Sequence, residues 1–293
     1  MADHITYLTS AYKGEMPGVR TVSPLLRYAE GERRLLMTHS DADILYAFSD
    51  IRSNILDWYE FREDTSLLEV SAGCGGLTGL FLSRIPRVTS LCPSEAEAAV
   101  LNERYASHEG HKVFCGSLKD LPLSCRFDYI SVVGLGELMR DERLTGNEES
   151  AAELIAELKK HLHPGGRILL AADNKYAMKY FAGMPSELTG RYDAGPFAFG
   201  HADRTSFTMQ DLKAKTRQAG LETESVYYPM PDYYYPEELY SDDHLPKPGS
   251  ISNDVYNYRN KRYAFYDENR AYDSVCEDGR FPEYASAFLL ILK

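Results

Sequence analysis

The chain has 293 residues, 44% of them hydrophobic, with 32 Lys+Arg against 44 Asp+Glu and a formal net charge of −12. A chain of this size can bury one large core, and its acidity with no basic stripe to offset it excludes nucleic acid as an expected partner. No apolar run approaches the about 18 residues of a membrane span, and the start MADHITYLTS lacks a basic-then-apolar leader pattern, so a cytoplasmic protein is expected.

From Ser40 to Phe61, Ile44, Leu45, Phe48, Ile51, Ile55, Leu56 and Trp58 recur at helical spacings. With the residues before them they predict a helical N-terminal extension over residues 1–64. Ser66 to Ala72 then reads as a strand stopped by Gly73-Cys-Gly-Gly76, and Leu77 to Ile85 as a helix ended by Pro86. Val88–Cys92 is a second strand. Ser94 with Glu97 offers a capping box for a helix to about Ser107. Lys112–Cys115 and Phe127–Val133 are the third and fourth strands. A helix over Glu148–His161 leads through Pro164-Gly-Gly166 to a fifth strand, Arg167–Ala172. Thr208–Ala219 reads as a helix with a Thr208/Asp211 cap, and Glu224–Tyr228 and Ala285–Leu292 as strands.

Short, apolar strands alternating with helices predict an α/β fold with a parallel sheet covered on both faces. Ligands of such sheets sit at the carboxyl ends of the strands. Segments of about 174–206 and 229–282 break the alternation and read as inserted lids on that side. Of the 22 Tyr, 11 lie between Tyr227 and Tyr272. They suit an acceptor site, or else a small auxiliary core or a homodimer surface. The five Cys (Cys74, Cys92, Cys115, Cys125, Cys276) are widely spaced with no C-x-x-C pair, so buried thiols are expected rather than a disulfide framework or a metal site.

The loop Glu69-Val-Ser-Ala-Gly73-Cys-Gly75-Gly76 follows a strand and opens a helix, where glycines permit close backbone approach and free N–H groups point outward. A phosphate-cradling P-loop requires Gly-Lys-Ser/Thr, which does not follow. A dinucleotide fingerprint requires a third Gly at Thr78, and Gly79 is one position late. The remaining cofactor is S-adenosylmethionine: a carboxylate at Glu69 would repel a pyrophosphate but can hold a cationic amino group. The plain alternative is a strand-end charge beside a tight turn.

Phe127-Asp-Tyr-Ile130, a helix, and then His163-Pro-Gly-Gly-Arg167 before an apolar strand complete an order that resembles the class I S-adenosylmethionine-dependent methyltransferases. Arg52-Ser-Asn-Ile-Leu-Asp-Trp58-Tyr-Glu-Phe61, the glycine loop to Gly79, Asp173-Asn-Lys-Tyr to Gly183, Tyr227-Tyr-Pro-Met-Pro-Asp-Tyr233 and Glu238-Leu-Tyr-Ser-Asp242 are similar to bacterial members associated with cell-surface glycan biosynthesis. The likeness spans roughly residues 40 to 250. It implies a Rossmann-like, mostly parallel sheet with a C-terminal antiparallel strand over residues 65–293, and S-adenosylmethionine held by Glu69, Ser71, Gly73, Cys74, Gly75, Cys92, Glu95, Ser117, Leu118 and Gly134. Three positions depart from the pattern. Ser71 stands where Gly is usual, Cys92 where an acid grips the ribose, and Ser117 where an Asp meets the adenine amino group; Glu95 is the nearby acid expected to reach the ribose instead.

A hydroxyl acceptor requires a base, whereas an amine needs only to be neutral and aimed. The candidate bases are His201 (in Phe199-Gly-His-Ala-Asp-Arg204), Asp173 at the fifth strand's tip and Glu137 after the fourth. Each has a plain alternative, with Asp173-Asn174 capping a helix and His201 packed on Phe197 and Phe199. Asn174, Tyr180, Arg204, Asp232 and Tyr233 are the expected acceptor contacts, and no metal is required. The implied activity is O-methylation of a sugar or glycoside hydroxyl. N-methylation of a small amine, or a degenerate non-catalytic partner protein, are the alternatives.

Overall fold

The computed structural model describes residues 4–14, 16–24, 36–38, 41–147, 149–185, 190–192, 195–197, 205–252 and 262–293. They fall into two compact units, Met1–Val132 with Leu138–Ile168, and Val133–Glu137 with Leu169–Lys293.

The first unit holds strands β1 (Ile5–Tyr7), β2 (Ser66–Val70), β3 (Arg87–Cys92), β4 (His111–Cys115), β5 (Phe127–Val133) and the beginning of β6 (Leu162–Asn174), in the order β1-β4-β3-β2-β5-β6. Pairings from β1 through β5 are parallel. Leu67, Leu68, Ile130 and Val132 are fully buried, as unbroken apolar runs in a doubly covered sheet must be. Its helices are α1 (Pro17–Val22), α2 (Ala42–Phe48), α3 (Thr78–Arg84), α4 (Glu95–Arg104), most of α5 (Leu135–Leu144) and α6 (Ala151–Lys160). Ser94 caps α4 by accepting from the Glu97 amide at 3.2 Å. Ala98 and Leu101 on α4 then pack with Cys92, Tyr105, Val113 and Cys115. A reciprocal Ser150–Glu153 capping box starts α6.

In the second unit the strand order is β6, β10 (Ala287–Leu292), β8 (Thr223–Met230), β9 (Glu238–Ser241), with β7 (Ser206–Phe207) also on β6. β6 and β7 run parallel, whereas β10–β8 and β8–β9 are antiparallel. Every residue of β10 is buried. The helices are α7 (Met178–Phe181), α8 (Met209–Gln218), α9 (Glu268–Glu277) and α10 (Phe281–Tyr284). Thr208 caps α8 by accepting from the Asp211 amide at 3.1 Å.

The mostly parallel sheet with a C-terminal antiparallel strand is as expected, but several elements differ. Residues 1–64 are not helical throughout. Ile5–Tyr7 adds to the sheet beside Val113–Cys115, and the predicted helix over Ser40–Phe61 stops at Phe48, where Ser49 turns extended (φ −74°, ψ 126°) before a 3-10 turn over Asp50–Ile55. β6 begins at Leu162 and runs through Pro164-Gly-Gly166. Within 229–282, Pro229 and Met230 belong to β8 and Glu238–Ser241 pairs with it, so this segment is partly sheet rather than wholly lid. Tyr228, Tyr240 and Tyr272 ring Phe281 at centroid distances of 5.7, 5.5 and 6.0 Å; Tyr228 and Tyr272 are buried core residues, and Tyr240 is partly buried. Cys74, Cys92 and Cys115 are buried thiols, while Cys125 and Cys276 are only partly so.

Candidate active site

In the first unit β2 delivers Glu69 to the start of the glycine loop. The carboxylate is 4% exposed, and its Oε2 accepts from Thr78 Oγ1 at 2.6 Å and Ser90 Oγ at 2.9 Å. Burial pushes its pKa up to about 7 against the opposing pull of those hydroxyls, Arg52 and Arg104. Ser90 also bonds His111 Nε2 at 2.9 Å, and burial lowers that imidazole to about 4.

Ser71 sits at φ +55°, the left-handed region that explains why glycine suits this position. Its hydroxyl is buried with no hydrogen-bond partner among the described residues. Gly75, at φ +85°, has no room for a side chain: a Cβ there would lie 2.7 Å from Tyr105 Cε2. Arg52, unnoticed as a site residue in the sequence, is 4% exposed, with its guanidinium 3.5 Å over the Tyr46 ring and Nη2 donating to Tyr46 Oη at 2.6 Å. Its Nε and Nη1 are buried beside Gly76 with no hydrogen-bond partner among the described residues. The Cys74 carbonyl accepts from Arg104, and burial drives the Cys74 thiol up to about 12. An open glycine turn bordered by buried acids and an incompletely bonded guanidinium has the chemistry to hold a zwitterionic amino-acid end, so the residues present fit S-adenosylmethionine.

The two substituted strand tips are closed by neighbours. Cys92 is 1% exposed and directs Sγ toward the carbonyls of Ser94 (3.7 Å) and Phe114 (3.8 Å). Contact with Cys115 and burial hold its thiol well above the usual range. Ser117 Oγ donates to Glu142 Oε2 at 2.5 Å and accepts from Asn147 at 2.9 Å, and the Leu118 amide donates to Glu142 Oε1 at 2.7 Å. Glu142, not singled out in the sequence, thus brings a buried carboxylate against Ser117. Glu95 is half exposed, 3.9 Å from Lys13. Glu97, two residues on, is buried.

The second unit gathers a different set. Tyr233, fully buried, places its hydroxyl 3.1 Å from Glu137 Oε2 and 3.3 Å from Asp173 Oδ2. Tyr234 stacks on it (centroids 4.5 Å apart) and also bonds Glu137. Burial beside two carboxylates holds the Tyr233 phenol well above its ordinary range. Gly134, at φ +121°, has Glu137 folded back over it; a Cβ there would meet Oε2 at 2.1 Å. Asp173 Oδ1 pairs at 3.0 Å with Lys179, which is 1% exposed and whose pKa the acids raise in spite of burial. Asp232 Oδ1 accepts from the Tyr234 and Tyr235 amides at 2.8 and 3.0 Å, and burial raises its pKa.

Of the expected catalytic and acceptor residues, Glu137, Asp173, Asp232 and Tyr233 therefore come together, and Lys179 joins them. A lysine flanked by Met178 and Tyr180 was the available signal. Tyr180 is buried 5.4 Å from the Lys179 ammonium. Asn174 does not project into this cluster: its Nδ2 donates to the Glu283 and Ala285 carbonyls, both at 2.8 Å, which ties the end of β6 to the end of α10. His201 and Arg204 lie outside the described residues. Among the described residues there is no metal-binding cluster, and no helix is long and apolar enough to cross a membrane.

No family model and no curated protein matches this chain. Solved structures do. One is the complex between the Haloferax volcanii Trm112 methyltransferase activator and a candidate methyltransferase, with 14% identity over 96% of this chain and 98% of that one and a TM-score of 0.50. A second is an S-adenosylmethionine-dependent methyltransferase from Geobacter sulfurreducens in complex with S-adenosyl-L-homocysteine (14% identity, 95% and 98% coverage, TM-score 0.48). A third is a glycopeptide N-methyltransferase complexed with S-adenosyl-L-methionine (15% identity, 83% and 92% coverage, TM-score 0.45). The chain has the Rossmann-like fold of class I methyltransferases.

Proposed function

We propose that this chain is an S-adenosylmethionine-dependent methyltransferase. The observation that carries the reading is the glycine turn after β2, where left-handed Ser71, Gly73 and Gly75 are bordered by the buried Glu69 and the incompletely bonded Arg52. When bound there, the cofactor would supply an electrophilic methyl group on a sulfonium. Glu69 and Arg52 suit its amino-acid end, and the Ser117–Glu142 pair suits the adenine amino group. Methyl transfer to a hydroxyl releases a proton, and within the second unit Glu137 and Asp173, joined through the Tyr233 hydroxyl, are the buried acids with the chemistry of a general base. Stacked Tyr233 and Tyr234 offer a rigid aromatic face beside those acids.

A sugar or glycoside hydroxyl is the acceptor that the resemblance of the 52–61, 173–183 and 227–242 phrases favours. A small amine is the second reading, favoured by the gathering of Glu137, Asp173 and Asp232 beside phenol rings, which suits a cation. Incubation with labelled S-adenosylmethionine against separate pools of glycosides and amines tests both. Label in the glycoside pool supports the first reading and label in the amine pool the second. Calorimetric titration with S-adenosyl-L-homocysteine tests the cofactor itself, and a flat trace would overturn the reading.

A further inference from the structure

A buried carboxylate overlooks the glycine loop where none was expected. Glu97 occupies the third position of α4, and side chains in a helix lean toward its N-terminus, which here is the tip of β3. Ser94 fixes one oxygen, donating to Oε2 at 3.1 Å. The other, Oε1, lies 4.0 Å from where a Cβ on Gly73 would sit, and among the described residues, the glycine's chain neighbours aside, nothing else comes within 4 Å of that point. The space in front of Gly73 is thus open, and Glu97 forms its wall. Cys92, at the strand tip itself, is turned away toward two carbonyls, and Glu95 points outward toward Lys13.

We propose that Glu97 is the carboxylate that grips the ribose hydroxyls of the cofactor in this chain, displaced from the end of β3 to the first turn of α4. The inference rests on the cofactor reading above and names a residue for one part of that ligand. Electrostatics favour it. Burial and the nearby Asp141 raise the pKa of Glu97, and Arg140 with the hydroxyl and backbone of Ser94 offsets this only in part, so further donors would stabilise its charged form. Two ribose hydroxyls are donors of the required kind, and they bring no charge into a site where Asp141 is already paired with Arg140 at 2.9 Å. Ser94 holds the carboxylate in place before any ligand arrives, which lowers the ordering cost of binding.

The test is a binding cycle read by calorimetry on the whole chain. Wild type, Glu97→Gln and Glu95→Gln are each titrated with S-adenosyl-L-homocysteine and with its analogue lacking the ribose 2′-hydroxyl. Wild type and Glu95→Gln are expected to lose about tenfold or more in affinity when the hydroxyl is removed. Glu97→Gln binds the parent ligand about tenfold more weakly and loses only about twofold further with the analogue, because the partner of the hydroxyl is already gone. An equal hydroxyl penalty in Glu97→Gln and wild type overturns the proposal while leaving the cofactor reading intact. No binding by wild type overturns both. Should Glu97→Gln fail to fold, Glu97→Asp, which keeps the charge and withdraws the oxygens by one methylene, must show the same reduced penalty.

Discussion

The strand tips of the first unit and the acid–phenol cluster of the second solve the burial of carboxylates differently. In the first, three of the buried acids are hydrogen-bonded by neutral donors: Glu69 by Thr78 and Ser90, Glu97 by Ser94, Glu142 by Ser117 and the Leu118 amide. In the second, Asp173 and Asp232 depend on the charge of Lys179, and Glu137 is bonded from a phenol 96 residues away. Hydroxyl donors tune the protonation of an acid and leave it able to exchange partners, whereas a buried ammonium fixes the charge state of the whole group. The first arrangement suits ligand exchange and the second suits holding a proton path in place.

Breaking the ion pair should therefore cost most. Lys179→Met strands Asp173 and Asp232 without their ammonium, and a loss of about 3–5 kcal/mol in urea unfolding is expected. Adding Asp173→Asn should restore part of it; a double variant as unstable as the single one would contradict the pairing. Next comes Glu69. Its folded pKa of about 7 lies above the unfolded 4.5, so its contribution to stability is fully present below pH 4.5 and is lost as pH rises through about 7. Wild type should lose about 3 kcal/mol relative to Glu69→Gln across that window, measured as paired unfolding curves at each pH. Tyr233→Phe removes the donor that Glu137 and Asp173 share, and about 1–3 kcal/mol of stability should go with it. The smallest effect has the opposite sign. Ser71→Gly relieves a left-handed non-glycine residue whose hydroxyl bonds nothing, so a gain of about 1 kcal/mol, seen as a melting point higher by about 2–4 °C, is expected.

The strands β2 to β5 were legible because each is an apolar run bounded by Gly, Pro or charge, and their limits agree with the sequence reading to within a residue or two. β1 was not, since three residues beside β4 leave no periodic trace. α5 was missed because it starts directly after Gly134 with no Ser, Thr, Asp or Asn to mark its start, and the Tyr-rich stretch hid its roles because periodicity cannot separate Tyr228, packed on Phe281, from Tyr233, bonded to carboxylates. Glu69, Gly73, Gly75, Glu137, Asp173, Asp232 and Tyr233 were named singly; what the sequence withheld was their company. In the sequence Glu97 reads only as the capping partner of Ser94, and Lys179 and Glu142 carry no reading of their own; burial is what distinguishes all three.

The N-terminal edge of the first unit carries one more consequence. Ile5–Tyr7 pairs with Val113–Cys115, the Tyr12 amide donates to the Pro93 carbonyl at 2.8 Å, and Ser10 joins Asp120 to the Ser117 amide. Residues 5–12 thus wait for partners made roughly a hundred residues later. During synthesis this stretch must stay unpaired, and closing so long a loop places it among the last pieces to settle. The same few bonds at an edge make it the piece expected to open first in the finished protein, so hydrogen exchange should find residues 5–12 exchanging sooner than β2 and β3 while the interior stays shut.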